Sequence, residues 1–501
     1  VLTESSFVDR LPSFGSAPAV VGGPDGVLSY QELSDRVDEM CERLGPRRGL
    51  LLIEACNELE PLLAYLAALR SRCPVMLTPA GRDDLAESVV STYRPDWIYS
   101  RTDEGWQLEA RPQESRTELH QDLAVLLSTS GSTGTAKFVR LSRQNIESNA
   151  SAIVEYLGIG SSDCAATTLP FHYSYGLSVI NSHLMAGAAL MLSDASVADS
   201  DFFDRCVAEG VTSFAGVPYS FELLDRVGFT PDRIPSLRYI TQAGGHLPAG
   251  DVERYRRMGE QGGWRFFVMY GQTEATARMS YVPPDLLAAQ PGSIGVAVPG
   301  GSFRLLDDDG NLVEQPDSPG ELVYRGPNVM MGYAQTRADL RLGPRLTELK
   351  TGDIATRNQD GIYTIVGRKK RFVKIFGLRV SLDEVEKKLA DHGWRGVATG
   401  RDGALLIATL EVGNIEPIRR EISEWSKLPP SAIHVLQIDD YPLLPSGKID
   451  YQRLQDNAGL DAEASEQASR TLSIVKLFQE ATGEPLVSPQ SSFVNLGGDS
   501  L

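Results

Sequence analysis

Between residue 19 and about residue 320, short runs of Val, Ile, Leu and Ala alternate with longer amphipathic stretches. A short continuous apolar run reads as a strand buried on both faces. An amphipathic stretch reads as a helix with one face on the core. Repeated alternation of the two calls for an α/β fold with several largely parallel sheets. Leu51-Leu52-Ile53 and Pro74-Val75-Met76-Leu77 are such runs, and residues 59–69 form the helix between them. Ser29 is the N-cap of an earlier helix, and Glu32 completes a capping box. Residues 361–367 alternate like a strand after a turn at Asp360-Gly361. From about residue 371 the pattern changes. A strand (372–375), a helix (382–389), a strand (404–410), a helix (415–426) and a strand (432–438) predict a small α+β domain.

Length and charge narrow the function. A chain of 501 residues holds roughly two to four domains. The formal net charge of −18 argues against non-specific nucleic-acid binding and against anionic membrane surfaces. Cys41, Cys56, Cys73, Cys164 and Cys206 are widely spaced with no CxxC pair, so neither a disulfide framework nor a zinc site is expected. A reducing, cytoplasmic location fits. No run of about 20 apolar residues exists, so no membrane span is expected. The chain begins at Val1 without a signal-like segment, and trimming at its start is expected.

The apolar run Leu123-Ala124-Val125-Leu126-Leu127 leads directly into Ser128-Thr129-Ser130-Gly131-Ser132-Thr133-Gly134-Thr135-Ala136-Lys137. Glycines let backbone N–H groups approach an anion, hydroxyls add donors, and the lysine adds positive charge. This is phosphate-binding chemistry, although the Walker A spacing GxxxxGK[ST] is absent. The plain alternative is a Ser/Thr/Gly-rich surface linker.

The loop resembles the phosphate loop of the adenylate-forming enzymes: acyl- and aryl-CoA ligases, luciferases and the adenylation domains of nonribosomal peptide synthetases. Four further motifs stand in that family's order: Tyr270-Gly271-Gln272-Thr273-Glu274, Thr351-Gly352-Asp353, the segment from Gly367 to Gly377, and Pro445-Ser446-Gly447-Lys448. The resemblance implies a large adenylation domain over residues 1–368 and a mobile lid over 369–456. It implies ATP and Mg²⁺ as cofactors. Thr129, Ser130, Gly131, Ser132, Thr133, Gly134 and Lys137 would hold the β- and γ-phosphates. Tyr270 would stack on adenine, Thr273 contact the α-phosphate, Glu274 hold Mg²⁺, Asp353 accept the ribose hydroxyls and Arg368 help bind the nucleotide. Lys448 would be the catalytic lysine and Lys370 the hinge. Such a reaction crowds negative oxygens together, so it needs donors, cations and positioning more than an acid or base.

Leu169-Pro170-Phe171-His172-Tyr173-Ser174-Tyr175-Gly176-Leu177-Ser178 aligns with a segment of acyl- and aryl-acid ligases. Peptide-synthetase domains for α-amino acids place an Asp where Ser174 stands, so Ser174 disfavours an ammonium-bearing substrate. The family's histidine falls on Tyr173, with His172 one place earlier. Thr241-Gln242-Ala243-Gly244-Gly245-His246 matches a glycine-rich strand end bordering both acyl pocket and adenine. Tyr173, Ser174, Ser178, Gly216, Gln242, Ala243 and Gly244 are the expected acyl-pocket residues, and Gly244 and Gly245 also border the nucleotide. An acyl chain and an aromatic acid both remain open.

Residues 457–470 read as a linker, rich in Ala, acids, Ser and Gln. Residues 471–501 resemble the first part of an acyl or peptidyl carrier domain, ending in Gly497-Gly498-Asp499-Ser500-Leu501. Ser500 would carry 4′-phosphopantetheine, attached by a phosphopantetheinyl transferase; a plain helix cap is the alternative. The partial carrier implies a truncated chain. The expected activity is ATP-dependent activation of a carboxylic acid, followed by transfer to a carrier thiol in cis or in trans. The rivals are a free-standing CoA ligase, the front end of a carboxylic acid reductase, and a degenerate adenylation fold kept as a docking scaffold.

Overall fold

A computed structural model of the chain describes residues 6–23, 26–111, 118–128, 137–369, 371–375, 378–401, 403–411, 413, 415–444 and 447–458. The phosphate-loop residues Thr129, Ser130, Gly131, Ser132, Thr133 and Gly134 lie outside them. So do Lys370 and everything from residue 459 onward, with Ser500. The chain divides into two compact units. One comprises residues up to Lys369 together with Leu444–Lys448; the other runs from Lys370 to Leu443 and from Ile449 onward.

The first unit holds three sheets among its described residues. In one, Ser213–Gly216, Tyr239–Gln242 and Arg265–Tyr270 run parallel, with Gly216 opposite Gln242 and Gln242 opposite Val268. In the second, Leu51–Ala55 pairs in parallel with Val75–Pro79, which pairs in parallel with Leu123–Ser128. The third is antiparallel and joins Ser302–Leu306, Gly320–Arg325, Leu349–Arg357 and Tyr363–Arg368. The α/β reading of the sequence is therefore correct.

Local chemistry explains the elements. The helix Tyr30–Leu44 starts at Ser29, whose hydroxyl accepts from the Glu32 backbone while Glu32 accepts from the Ser29 N–H at 2.8 Å. The helix Leu59–Arg70 buries every residue from Pro61 to Leu69. A helix apolar on all sides belongs inside a domain. Burying Leu62 or Leu66 completely stabilises by about 1.5–3 kcal/mol each.

In the second unit, Phe372–Ile375 pairs with Leu378–Ser381, and Gly396–Arg401, Ala404–Thr409 and Ile433–Gln437 form a sheet. The helices Leu382–Asp391 and Glu416–Ser426 place Val385, Leu389, Ile418 and Ile422 in its core with Leu405 and Ile407.

Candidate active site

Three parallel strands deliver the first group of residues. Gly216, Gln242 and Tyr270 stand at the carboxyl ends of Ser213–Gly216, Tyr239–Gln242 and Arg265–Tyr270. In open α/β sheets, ligands bind in the crevice beyond such ends.

The antiparallel sheet adds Asp353 and Arg368, which stand directly opposite each other on Leu349–Arg357 and Tyr363–Arg368. Asp353 is 2% exposed. Its Oδ1 accepts from Arg368 Nε at 2.9 Å. Its Oδ2 accepts from the Tyr270 hydroxyl and, at 3.0 Å, from Gln272 Nε2. Gln272 also donates to the Thr351 carbonyl at 3.1 Å. A carboxylate offers about four acceptor positions, and three are filled here. Burial, reinforced by the Asp353 charge, holds the Tyr270 hydroxyl well above its ordinary pKa. Tyr270 is therefore a neutral donor.

Past Tyr270 the chain turns through Gly271 into the 3₁₀ turn Thr273–Ala275. Thr273 Oγ1 lies 3.2 Å from Ser174 Oγ at the start of the helix Ser174–Ala186. Glu274 Oε1 accepts from the Tyr333 hydroxyl at 2.8 Å. Lys137 Nζ sits over the Tyr333 ring, 3.3 Å from its centroid. Tyr333 thus links Glu274 to the lysine that closes the hydroxyl-rich loop. The sequence reading missed Tyr333; no spacing signal ties it to Glu274.

Lys448 Nζ lies 5.0 Å from the centroid of the Tyr173 ring. Burial depresses the Lys448 pKa, and the Arg368 charge lowers it further, while Glu274 acts in the opposite direction. Gly244 adopts φ +86°, and a Cβ there would come 2.7 Å from the Tyr173 hydroxyl and 3.8 Å from Lys448 Cε. Only glycine gives this backbone together with this close approach. The Gln242 amide donates to the Gly245 carbonyl at 2.8 Å, so Gln242 props the glycine turn. Ala243 is buried and bonds its N–H to the Gly216 carbonyl at 3.2 Å.

Ser178 lies in the same helix as Ser174. Its hydroxyl donates to the Tyr175 carbonyl at 2.7 Å, and the residue lines a small cavity with Thr241, Met269 and Arg278. Burial pushes the Tyr173 and Tyr175 hydroxyls up to about 12, with Arg278 opposing the shift in both. His172 is driven down to about 4 by burial, with Nδ1 3.4 Å from the Ala55 carbonyl. Arg278 is a second residue that the sequence reading passed over.

The profile of the AMP-binding enzyme family matches residues 67–334, more than half of the chain. The chain belongs to that family. This AMP-binding enzyme is 29% identical to an L-proline–[L-prolyl-carrier protein] ligase of Streptomyces coelicolor, over 91% of this chain and 96% of that one. It is 33% identical to a long-chain-fatty-acid–CoA ligase of Yersinia pestis, over 60% of this chain and 53% of the relative. It spans 12% of the length of a surfactin synthase subunit of Bacillus subtilis, to which it is 26% identical over 81% of this chain. Its fold matches an o-succinylbenzoate CoA synthetase of Bacillus subtilis, with a TM-score of 0.73 and 21% identity, covering 91% of this chain and 99% of that one. The AMP-binding enzyme is an adenylate-forming, ATP-using ligase of carboxylic acids. No described helix is long and apolar enough to cross a membrane.

Proposed function

We propose that the chain activates a carboxylic acid and loads it onto a phosphopantetheine thiol. In the first step a carboxylate oxygen attacks the α-phosphorus of ATP, and the bond to pyrophosphate breaks. In the second, a thiolate sulfur attacks the acyl carbon and AMP leaves. The thiol belongs to Ser500 of residues 471–501, or to a separate carrier.

The observation that carries this reading is the position of Lys448. A buried ammonium beside Tyr173 and Gly244, under the influence of Glu274 and Arg368, would serve to bring opposed negative oxygens together. Lys137 supplies charge to the terminal phosphates. Asp353 takes the ribose hydroxyls, exchanging at least one of its present donors for them. Glu274 has its Oε1 bound to Tyr333, and its second oxygen suits Mg²⁺, which takes oxygen ligands and would neutralise phosphate charge. The prolyl-carrier relative supports a carrier as acceptor.

ATP–pyrophosphate exchange across a panel of acids tests the first step. Lys448→Ala should lower the exchange rate roughly 100- to 1,000-fold, the cost of one preorganised donor. Undiminished exchange in that variant removes the reading. For the second step, loss of acyl loading in Ser500→Ala after phosphopantetheinylation identifies the carrier in cis. The Yersinia relative favours a second reading, transfer to free CoA. Turnover with CoA that exceeds carrier loading would decide for it.

A further inference from the structure

Lys137 and Glu274 carry opposite charges, and one side chain holds both. The Lys137 ammonium lies 3.3 Å from the centroid of the Tyr333 ring, and the Tyr333 hydroxyl donates to Glu274 Oε1 at 2.8 Å. The backbone beneath this contact is fixed. The strand Gly332–Ala334 pairs antiparallel with Phe138–Ser142, and Tyr333 stands opposite Val139. Lys137 comes two residues before Val139. Alternation therefore puts it on the face of Tyr333, at the diagonal distance that a long side chain spans. The fully buried Arg140 donates from Nε to the Tyr333 carbonyl and from Nη2 to the Met331 carbonyl, both at 3.2 Å. On the other side, the Met330 N–H donates to the Glu274 carbonyl at 2.9 Å. The segment that carries Tyr333 is thus tied both to the strand after Lys137 and to the turn that carries Glu274.

Burial and the Glu274 charge raise the pKa of the Tyr333 hydroxyl, so the phenol stays a neutral donor. A lysine and a glutamate facing an empty phosphate site attract each other, and a closed pair must be broken before ATP can use either. The phenol gives each charge another partner. A ring beneath an ammonium leaves the opposite side open to phosphate oxygens. Ordering a long side chain in advance also removes that cost from binding.

We propose that Tyr333 is a positioning residue for ATP: its ring holds Lys137 ready for the phosphates, and its hydroxyl keeps Glu274 from pairing with that lysine. This role rests on the adenylation reading and deepens it.

Calorimetric titration of ATP into the full chain, with no acid present, measures binding apart from chemistry. Tyr333→Leu, Lys137→Met and the double variant complete a cycle with the wild type. Tyr333 is 36% exposed, so its replacement opens no cavity in the core. Tyr333→Leu should weaken ATP binding roughly 5- to 10-fold, the cost of ordering one long side chain. In the Lys137→Met background the same change should cost less than ~2-fold, because no ammonium is left for the ring to hold. Tyr333→Phe keeps the ring and frees the carboxylate, and its affinity should fall between those of the wild type and Tyr333→Leu. Wild-type affinity in Tyr333→Leu overturns the inference. So do equal losses in the two backgrounds, which a direct contact with ATP or a damaged fold would give. If Tyr333→Leu does not fold, wild-type affinity in Tyr333→Phe overturns it. A wild type that binds no ATP overturns this role and the adenylation reading together.

Discussion

His183 donates from Nδ1 to the Val179 carbonyl at 2.8 Å, which leaves Nε2 to accept from the Tyr239 hydroxyl at 3.1 Å. Burial holds its pKa down to about 4, with the hydrogen bond to Val179 and the Asp163 charge opposing the shift. An unfolded histidine titrates near pH 6.5. Between those values the unfolded chain binds the extra proton, so stability rises with pH there and falls on acidification. The loss begins below about pH 6.5 and is complete near pH 4. His172, also near 4, adds a term of the same sign. His183→Asn keeps a donor for Val179 and removes the titration. Denaturant unfolding at pH 7 and pH 5 should show the wild type losing about 2 kcal/mol more than the variant. Equal losses would mean that His183 charges without penalty in the fold.

At the scale of elements, the turn from Arg265–Tyr270 into Thr273–Ala275 has no room for a side chain. A Cβ on Gly271 would stand 1.6 Å from the Ala277 carbonyl oxygen and 2.6 Å from its carbon. Both are backbone atoms, so the turn itself must move. Gly271→Ala should cost about 3 kcal/mol, read from a denaturation curve. It should also lower ATP–pyrophosphate exchange at least ~100-fold, because a displacement near 1 Å at Thr273 and Glu274 is enough for that. Gly250→Ala, in the helix Ala249–Gly262, meets nothing within 4 Å and should be neutral or slightly stabilising. Sequence made some of these elements legible and hid others. Leu51–Ala55, Val75–Pro79 and Leu59–Arg70 were readable because continuous apolar runs end sharply at polar or turn residues. Leu378–Ser381 was missed because four residues are too few to show a period, and Gly396–Arg401 because glycine and threonine interrupt its apolar run. In the site, the strand end at Tyr270 and the turn before Asp353 were readable as motifs. The bond between Tyr270 and Asp353, 83 residues apart, was not. Tyr333 was hidden for the same reason: its place between Glu274 and Lys137 depends on what folding brings beside it, and no local pattern encodes it.

At the scale of the molecule, the division into two compact units falls between Lys369 and Lys370 on the first pass of the chain. Each unit has its own core. Lys369 belongs to the first unit, where it bonds its N–H to the Gly352 carbonyl at 2.8 Å and pairs with Glu321 at 3.1 Å. Arg371 belongs to the second, where it pairs with Asp383 and Glu386 and lies 5.0 Å from the Tyr451 ring centroid. Lys370 stands between these two neighbours in the sequence, and we propose it as the pivot. The proposed two-step reaction asks one site to favour phosphoryl chemistry first and thiol attack second, and rotation about Lys370 would serve both. Proline fixes φ near −65°. Lys370→Pro should therefore separate the steps. ATP–pyrophosphate exchange should stay within a few-fold of wild type, while thioester formation on carrier or CoA should fall at least ~100-fold. Equal loss of both steps would place the damage in folding. Retention of both would move the pivot to another residue of the connection.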